Sequence, residues 1–194
     1  MIKEYFDNLA GVWDKICVHD EKKIEYILNL LDISKTDAVL DCGCGTGILE
    51  KFLLNLSSDI TAVDISSKML RIAKNKYKGL GIKFLNADLF DVDIKFDFAI
   101  LYNIYPHIFE KTKLSKKLYE ILNPDGRFVI FHTDGKDALN KMHSIKASGL
   151  AVELNDVKIE KKHFEKLFDI TMEIDNKDYF LISGIKRSGV KEKD

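Results

Sequence analysis

Several groups of residues in this chain are of types that do chemistry. The first is Val39-Leu40-Asp41-Cys42-Gly43-Cys44-Gly45-Thr46-Gly47, an apolar run that ends in a carboxylate and then carries glycine at every second position. Glycines let a backbone approach a ligand where any Cβ would block it, so this loop is built to hold a bound group. The second group is a pair of acids, Asp64 and Asp88, each closing a short apolar stretch, where a carboxylate either accepts from a ligand or caps a turn. The third is histidine: His107 and His132, with Asp134 and His143 nearby in sequence. An imidazole with a near-neutral pKa suits a general base, and a hydrogen-bonded structural role is its bland counterpart. The same three histidines with Asp134 could hold a divalent ion, but they stand at no recognised metal-ligand spacing, and no metal is expected.

The elements that must carry these residues alternate. Ile48, Leu49, Phe52, Leu53 and Leu56 follow the glycines at helical spacing, making a strand, a tight turn and a helix. A second such unit runs from Ile60-Thr61-Ala62-Val63 through Asp64 to a helix capped by Ser66, with Met69, Ile72, Ala73 and Tyr77 on one face. Ile82–Leu85 and Phe96–Leu101 supply two more strands, and a helix from about Thr112 turns its Leu114, Leu118, Ile121 and Leu122 inward. Asn123-Pro124-Asp125-Gly126 stops that helix in a turn before a fifth strand, Arg127–His132. Such alternation gives an open, mostly parallel sheet with right-handed crossovers and ligands at the carboxyl ends of its strands.

Both ends differ from this pattern. Residues 1–20 mix aromatic and charged residues without a strand signal, and fit either a lid over a ligand cleft or a cover for the core edge. Asp20 is a candidate N-cap for a helix over Lys22–Leu31. Lys136–Ser148 reads as a helix with Leu139, Met142 and Ile145 on one side, stopped by Gly149, and a second short helix covers about Ile159–Leu167. Ile170–Ile174 and Tyr179–Ile185 flank Asp175-Asn176-Lys177-Asp178, a hairpin signal that makes the last strand antiparallel. The tail from Lys186 is charged and expected to fray.

Composition narrows the setting. The chain has 194 residues, 46% of them hydrophobic, with no linker-like segment, and reads as one domain. Lys and Arg number 30 against 31 Asp and Glu, so no large basic field is available for a nucleic acid, and none is expected as a partner. No leader-like or membrane-length apolar run is present in the sequence, and Cys17, Cys42 and Cys44 suit reduced thiols. A cytoplasmic setting is expected, with no membrane partner; the oligomeric state, monomer or homodimer, is open.

The spacing Asp41-x-Gly43-x-Gly45-x-Gly47, the acids Asp64 and Asp88 closing strands two and three, and the terminal hairpin resemble the class I S-adenosylmethionine-dependent methyltransferases. Over about residues 22–186 the likeness is to the methyltransferase type 11 branch, similar to ubiquinone and menaquinone C-methyltransferases. The resemblance implies a single α/β domain over residues 1–186, with residues 1–20 as its possible lid. It also implies a Rossmann-like seven-stranded sheet in the order 3-2-1-4-5-7-6, strand seven antiparallel, with helices on both faces. It implies S-adenosyl-L-methionine as cofactor, S-adenosyl-L-homocysteine as product and a small-molecule acceptor. Gly43, Gly45 and Gly47 would open space for the methionine tail and Asp41 would bind its ammonium. Asp64 would take the ribose hydroxyls and Asp88 the adenine amine, with Ile65, Met69 and Leu89 walling the ring. Cys44 would be a small residue under the cofactor, and Tyr102 and Asn103 would border the reactive methyl. His107 and His132 are then the catalytic candidates.

Other function classes fit less well. A nicotinamide-dependent oxidoreductase wants Gly-x-Gly-x-x-Gly, whereas the third glycine here comes two residues after the second. A nucleic-acid or protein methyltransferase acting on amide nitrogen wants an Asn-Pro-Pro-Tyr-like motif, and in Asn103-Ile104-Tyr105-Pro106 the proline is misplaced. A non-catalytic cofactor-binding protein of the same fold is the third alternative.

Overall fold

The computed structural model describes residues 1–146 and 149–190. Its seven strands form one sheet in the order β3-β2-β1-β4-β5-β7-β6, as the family resemblance implies. Backbone proximity divides the chain into two compact units, Met1–Val92 and Asp93–Asp194.

The first unit begins with helices: α1 (Ile2–Leu9), a 3-10 turn (Ala10–Val12), α2 (Trp13–Ile16) and α3 (Glu21–Asn29). Asp20 caps α3 by accepting from the Lys23 N–H at 3.2 Å, which leaves Ile24, Ile27 and Leu28 free to bury one face. Then come β1 (Ala38–Cys42), α4 (Glu50–Leu56), β2 (Asp59–Asp64), α5 (Ser67–Lys76) and β3 (Lys83–Asn86). β1 and β2 run parallel, with Asp41 opposite Ala62 and Cys42 opposite Val63. β2 and β3 also run parallel, with Asp64 opposite Asn86. The carboxyl ends of these strands therefore lie side by side, and the glycine loop, Asp64 and the Asp88 turn leave the sheet along one edge.

The second unit holds β4 (Phe96–Tyr102), α6 (Lys111–Ile121), β5 (Leu122–His132), α7 (Lys136–Lys146), α8 (Val157–Glu160), β6 (Phe168–Asp175) and β7 (Phe180–Lys186). β7 is antiparallel to both β5 and β6, as the hairpin signal requires. Phe128 is the hub of its core, stacked on Phe164 at 5.0 Å and edge-on to Phe168 at 4.8 Å.

Two expectations change. The turn at residues 123–126 does not precede β5 but lies inside it. Phe96 pairs with Leu122 and Phe98 with Arg127, so the extra residues of β5 bulge out, with Asp125 left-handed at φ 59°. On α7 Leu139 is buried, while Met142 is 39% and Ile145 72% exposed. The expected end of that helix at Ser148 falls outside the described residues, as do residues 191–194 of the tail. The helix expected over Ile159–Leu167 is shorter, a single α turn at Val157–Glu160 followed by a 3-10 turn at Lys161–His163.

Gly135 joins β5 to α7, and its N–H donates to Lys177 O at 3.1 Å in the β6–β7 turn. A Cβ there would lie 2.2 Å from Asn176 O. Because the obstacle is backbone, the Gly135→Ala substitution must push the turn away; a loss of about 1–3 kcal/mol is expected in urea unfolding, as for other overpacked sites.

Candidate active site

The glycine loop is closed by backbone bonds that only its glycines allow. The N–H groups of Gly43 and Cys44 both donate to Val63 O, at 2.7 and 3.0 Å, and Gly47 N–H donates to Cys44 O at 2.9 Å. Gly43, Gly45 and Gly47 have φ of 73°, 56° and 88°, the left-handed region that L side chains avoid. A Cβ on Gly47 would also strike the Tyr77 ring at 2.8 Å. Tyr77 donates its hydroxyl to Gly47 O at 2.7 Å, holding the end of α5 against the loop.

Beneath this loop lie two carboxylic groups. Asp41 is 2% and Glu50 0% exposed, and Asp41 Oδ2 and both Glu50 oxygens have no hydrogen-bond partner that is not itself a carboxyl. Burial, with the neighbouring Glu50 and Asp64 charges, pushes the Asp41 carboxyl well above its ordinary range; burial raises Glu50 to about 7. Cys42 and Cys44 are buried free thiols, also pushed up by burial, and serve as small packing groups.

Asp64 is the tie between the loop and α5. Its Oδ2 accepts from Gly45 N–H at 2.8 Å and its Oδ1 from Ser66 N–H at 2.7 Å. Burial raises its pKa while these two bonds oppose the rise. Each oxygen keeps a further lone pair for a ligand hydroxyl. Met69 is buried, Ile65 half-buried, and Ile65 O accepts from the Asn86 side chain at 3.1 Å. Asp88 caps its own 3-10 turn, accepting from Phe90 N–H at 2.9 Å, with Leu89 buried behind it.

The N-terminal leader is fastened across these residues by two acids that the sequence did not single out. Asp7 accepts from Ser66 Oγ at 2.6 Å and from Lys68 N–H at 3.3 Å. Asp14 accepts from Thr46 Oγ1 at 2.5 Å and pairs with Lys76 at 2.7 Å. Bonds from Lys3 and Ser66 hold the Asp7 carboxyl down to about 2. Neither acid interrupts a pattern, which is why nothing in the sequence marks them.

In the second unit Tyr102 is the last residue of β4 rather than the first beyond it. It is buried against Phe131 at 4.7 Å, its hydroxyl 3.2 Å from Thr133 Oγ1. Asn103 follows at φ 56° with its Oδ1 buried and unpartnered. His107 directs Nδ1 at Leu150 O, 2.8 Å away. A carbonyl only accepts, so Nδ1 carries the proton and Nε2 keeps the lone pair. The His107 ring stands edge-on to His143 at 5.1 Å. His132 ends β5, 1% exposed, with neither ring nitrogen partnered. Burial, with His143 and His107 nearby, drives its pKa down to about 3, and burial takes His107 to about 4. Asp134 is exposed, and among the described residues no three His, Cys, Asp or Glu side chains group so as to hold a metal ion. Below the histidines Lys111 donates to Tyr105 O, and Tyr105 donates to Glu160 at 2.8 Å. Burial lowers Lys111 to about 7. This network was also missed, since a lysine at a helix start reads as surface.

Known proteins resemble this chain in both sequence and fold. Residues 39–126 match a family model described as a methyltransferase domain. The malonyl-[acyl-carrier protein] O-methyltransferase of Priestia megaterium is 28% identical over 151 residues, 74% of this chain and 55% of that protein. The carboxy-S-adenosyl-L-methionine synthase of Nautilia profundicola is 31% identical over 143 residues, 66% of this chain and 60% of that protein. The chain thus spans between half and two thirds of the length of these relatives. Among solved structures, magnesium protoporphyrin IX methyltransferase from Synechocystis PCC 6803 with bound S-adenosylhomocysteine superposes with a TM-score of 0.71 at 17% identity, covering 96% of this chain and 98% of that one. That likeness is one of fold. Among the described residues no helix is long and apolar enough to cross a membrane.

The buried imidazoles give a pH dependence with a fixed sign. Their folded pKa values, about 4 and about 3, lie below the ordinary 6.5, so between those limits the unfolded chain binds protons that the folded chain refuses. Stability from this source is present above about pH 6.5 and is lost as the pH falls toward 3. The urea midpoint of His132→Leu is expected to fall less steeply over that window than that of the parent; equal slopes would assign the acid sensitivity elsewhere.

Proposed function

We propose that this chain, whose residues 39–126 match a methyltransferase domain, is a class I methyltransferase that binds S-adenosylmethionine and methylates a small-molecule acceptor. The observation that carries the reading is the glycine loop itself: three left-handed glycines over a buried carboxylate whose Oδ2 has no donor. That donor set fits the cofactor's methionine tail, since Asp41 offers an acceptor to an ammonium and the bare glycine backbone leaves the tail room. Asp64, oriented by its two backbone bonds, suits the ribose hydroxyls with its remaining lone pairs. Asp88 suits the adenine amine, with Ile65, Met69 and Leu89 as apolar walls, Cys44 beneath and Tyr102 on the methyl side. The domain is residues 1–186, and residues 1–20 act as its lid, fastened by Asp7 and Asp14.

When bound, the cofactor supplies a methyl carbon made electrophilic by its positive sulfur. The chain's residues align the acceptor, keep water out and take up a proton where the acceptor carries one. His107 is the first candidate for the last task, because its Nδ1 proton is committed to Leu150 O and the lone pair of the neutral ring lies on Nε2. His132, neutral and buried, is the second candidate. A near-zero net charge and the small-molecule names among the structural relatives support a small acceptor, and the reduced cysteines support a cytoplasmic setting.

Calorimetry with S-adenosylhomocysteine tests the cofactor seat. Asp64→Ala is expected to weaken binding about tenfold or more, the loss of one or two charged hydrogen bonds; an unchanged affinity would remove the ribose assignment. With labelled S-adenosylmethionine and an extract of small metabolites, His107→Ala is expected to lower turnover by about 100-fold if it is the base. Full turnover in both His107→Ala and His132→Ala would leave alignment alone as the mechanism.

A further inference from the structure

We infer that Glu50 and Asp41 form a proton-sharing carboxyl pair that surrenders a proton when the ammonium end of the cofactor seats, so that cofactor affinity is coupled to pH. The inference rests on the cofactor reading above and adds to it a second acidic residue, at a position where the sequence shows only an amphipathic helix.

Glu50 opens α4 between Leu49 and the buried Leu53, in surroundings where an aliphatic side chain would be at home. It is instead a fully buried acid whose two oxygens meet no donor, beside a second buried acid with one such oxygen. Two carboxylates placed together in an apolar site cannot both ionise; one proton between them turns repulsion into a hydrogen bond from acid to carboxylate. Of the groups facing the pair, the backbone N–H of Glu50 itself and the more distant Lys76 favour the ionised form, and burial outweighs them. From β2 comes Asp64, whose oxygens are already turned to Gly45 and Ser66. From α5 comes Lys76, held 2.7 Å from Asp14 of α2, and next to it Tyr77, whose hydroxyl is given to Gly47 O. On the α3 side Glu21 is paired with Lys51 at 2.5 Å. The thiols of Cys42 and Cys44 stay protonated by burial. What the pair lacks is a cation in hydrogen-bonding contact with it.

A primary ammonium has three N–H donors, and the pair presents three oxygens without a donor: Asp41 Oδ2, Glu50 Oε1 and Glu50 Oε2. Seating the ammonium there brings in one positive charge, and the shared proton leaves to solvent, so the charge of the site is conserved. The direction of the pH dependence follows. At a pH where the free pair holds its proton, each unit of acidification costs the cofactor up to about tenfold in affinity, because a proton must be displaced. Once the pair is ionised the dependence vanishes. The elevated position of Glu50, near 7, sets that change close to neutrality.

The test is calorimetry of S-adenosylhomocysteine binding in two buffers of different ionisation enthalpy, which counts the protons released. At about pH 6.5 the parent protein is expected to release up to about one proton per ligand, falling toward none at about pH 8.5. Glu50→Gln keeps the shape and removes one acid, leaving Asp41 ionised; its proton release at the lower pH is expected to disappear. Ligand bound by the parent without proton release overturns the inference and leaves the cofactor reading standing. Equal release from the parent and Glu50→Gln assigns the proton to another group and overturns it as well. Absence of any binding to the parent overturns the cofactor reading and the inference together. The count on the parent alone decides the matter even where Glu50→Gln does not fold.

Discussion

The carboxylate of Asp64 is the join on which the first unit depends. One oxygen holds the N–H of Gly45, the other that of Ser66, so a single side chain at the end of β2 fixes both the glycine loop and the turn into α5. Each of those elements then fixes another. Ser66 caps α5 through Met69 N–H and donates to Asp7 of the leader. The loop, set in its left-handed course, receives Tyr77 from the far end of α5. Charge-assisted bonds of this kind are short and directional, which is what a loop without side chains needs if it is to keep one shape.

The second unit is organised by burial instead. Aromatic packing around Phe128 holds β5 against the hairpin, and β5 delivers His132 to a place where no protein group answers either nitrogen. The buried Lys111–Tyr105–Glu160 network lies on the same unit and keeps its polar groups bonded to one another. The contrast divides the labour: on one side acids with their partners withheld, on the other imidazoles kept uncharged. Both are arrangements that fold at a cost.

Much of this was legible in the sequence, and the parts that were not have physical reasons. The strand order follows from the family resemblance, whereas the antiparallel β7 and the Asp20 and Ser66 caps follow from short-range signals: a polar turn between apolar runs, a cap residue three before the N–H it accepts from. The bulge in β5 was invisible because Asn-Pro-Asp-Gly is turn chemistry whether the strand pauses or ends there. Periodicity put Leu139, Met142 and Ile145 on one side of α7 but says nothing of whether anything covers that side, and of the three only Leu139 is buried. Glu50 passed unnoticed for the same reason in reverse: an acid in the first turn of a helix is ordinary, and only the packing of β1 and the loop around it makes it a buried one. Asp7 and Asp14 depend on contacts more than 30 residues away in sequence, beyond any local pattern.

The leader's attachment has a thermodynamic character of its own. Between Ile2 and Ile16 only Ala10 is buried, so the segment is held by two carboxylates and by half-covered aromatic rings rather than by a core of its own. Those carboxylate contacts weaken with ionic strength and acid, the variables that screen or protonate Asp7 and Asp14. A segment fastened in this way loosens in salt and in acid.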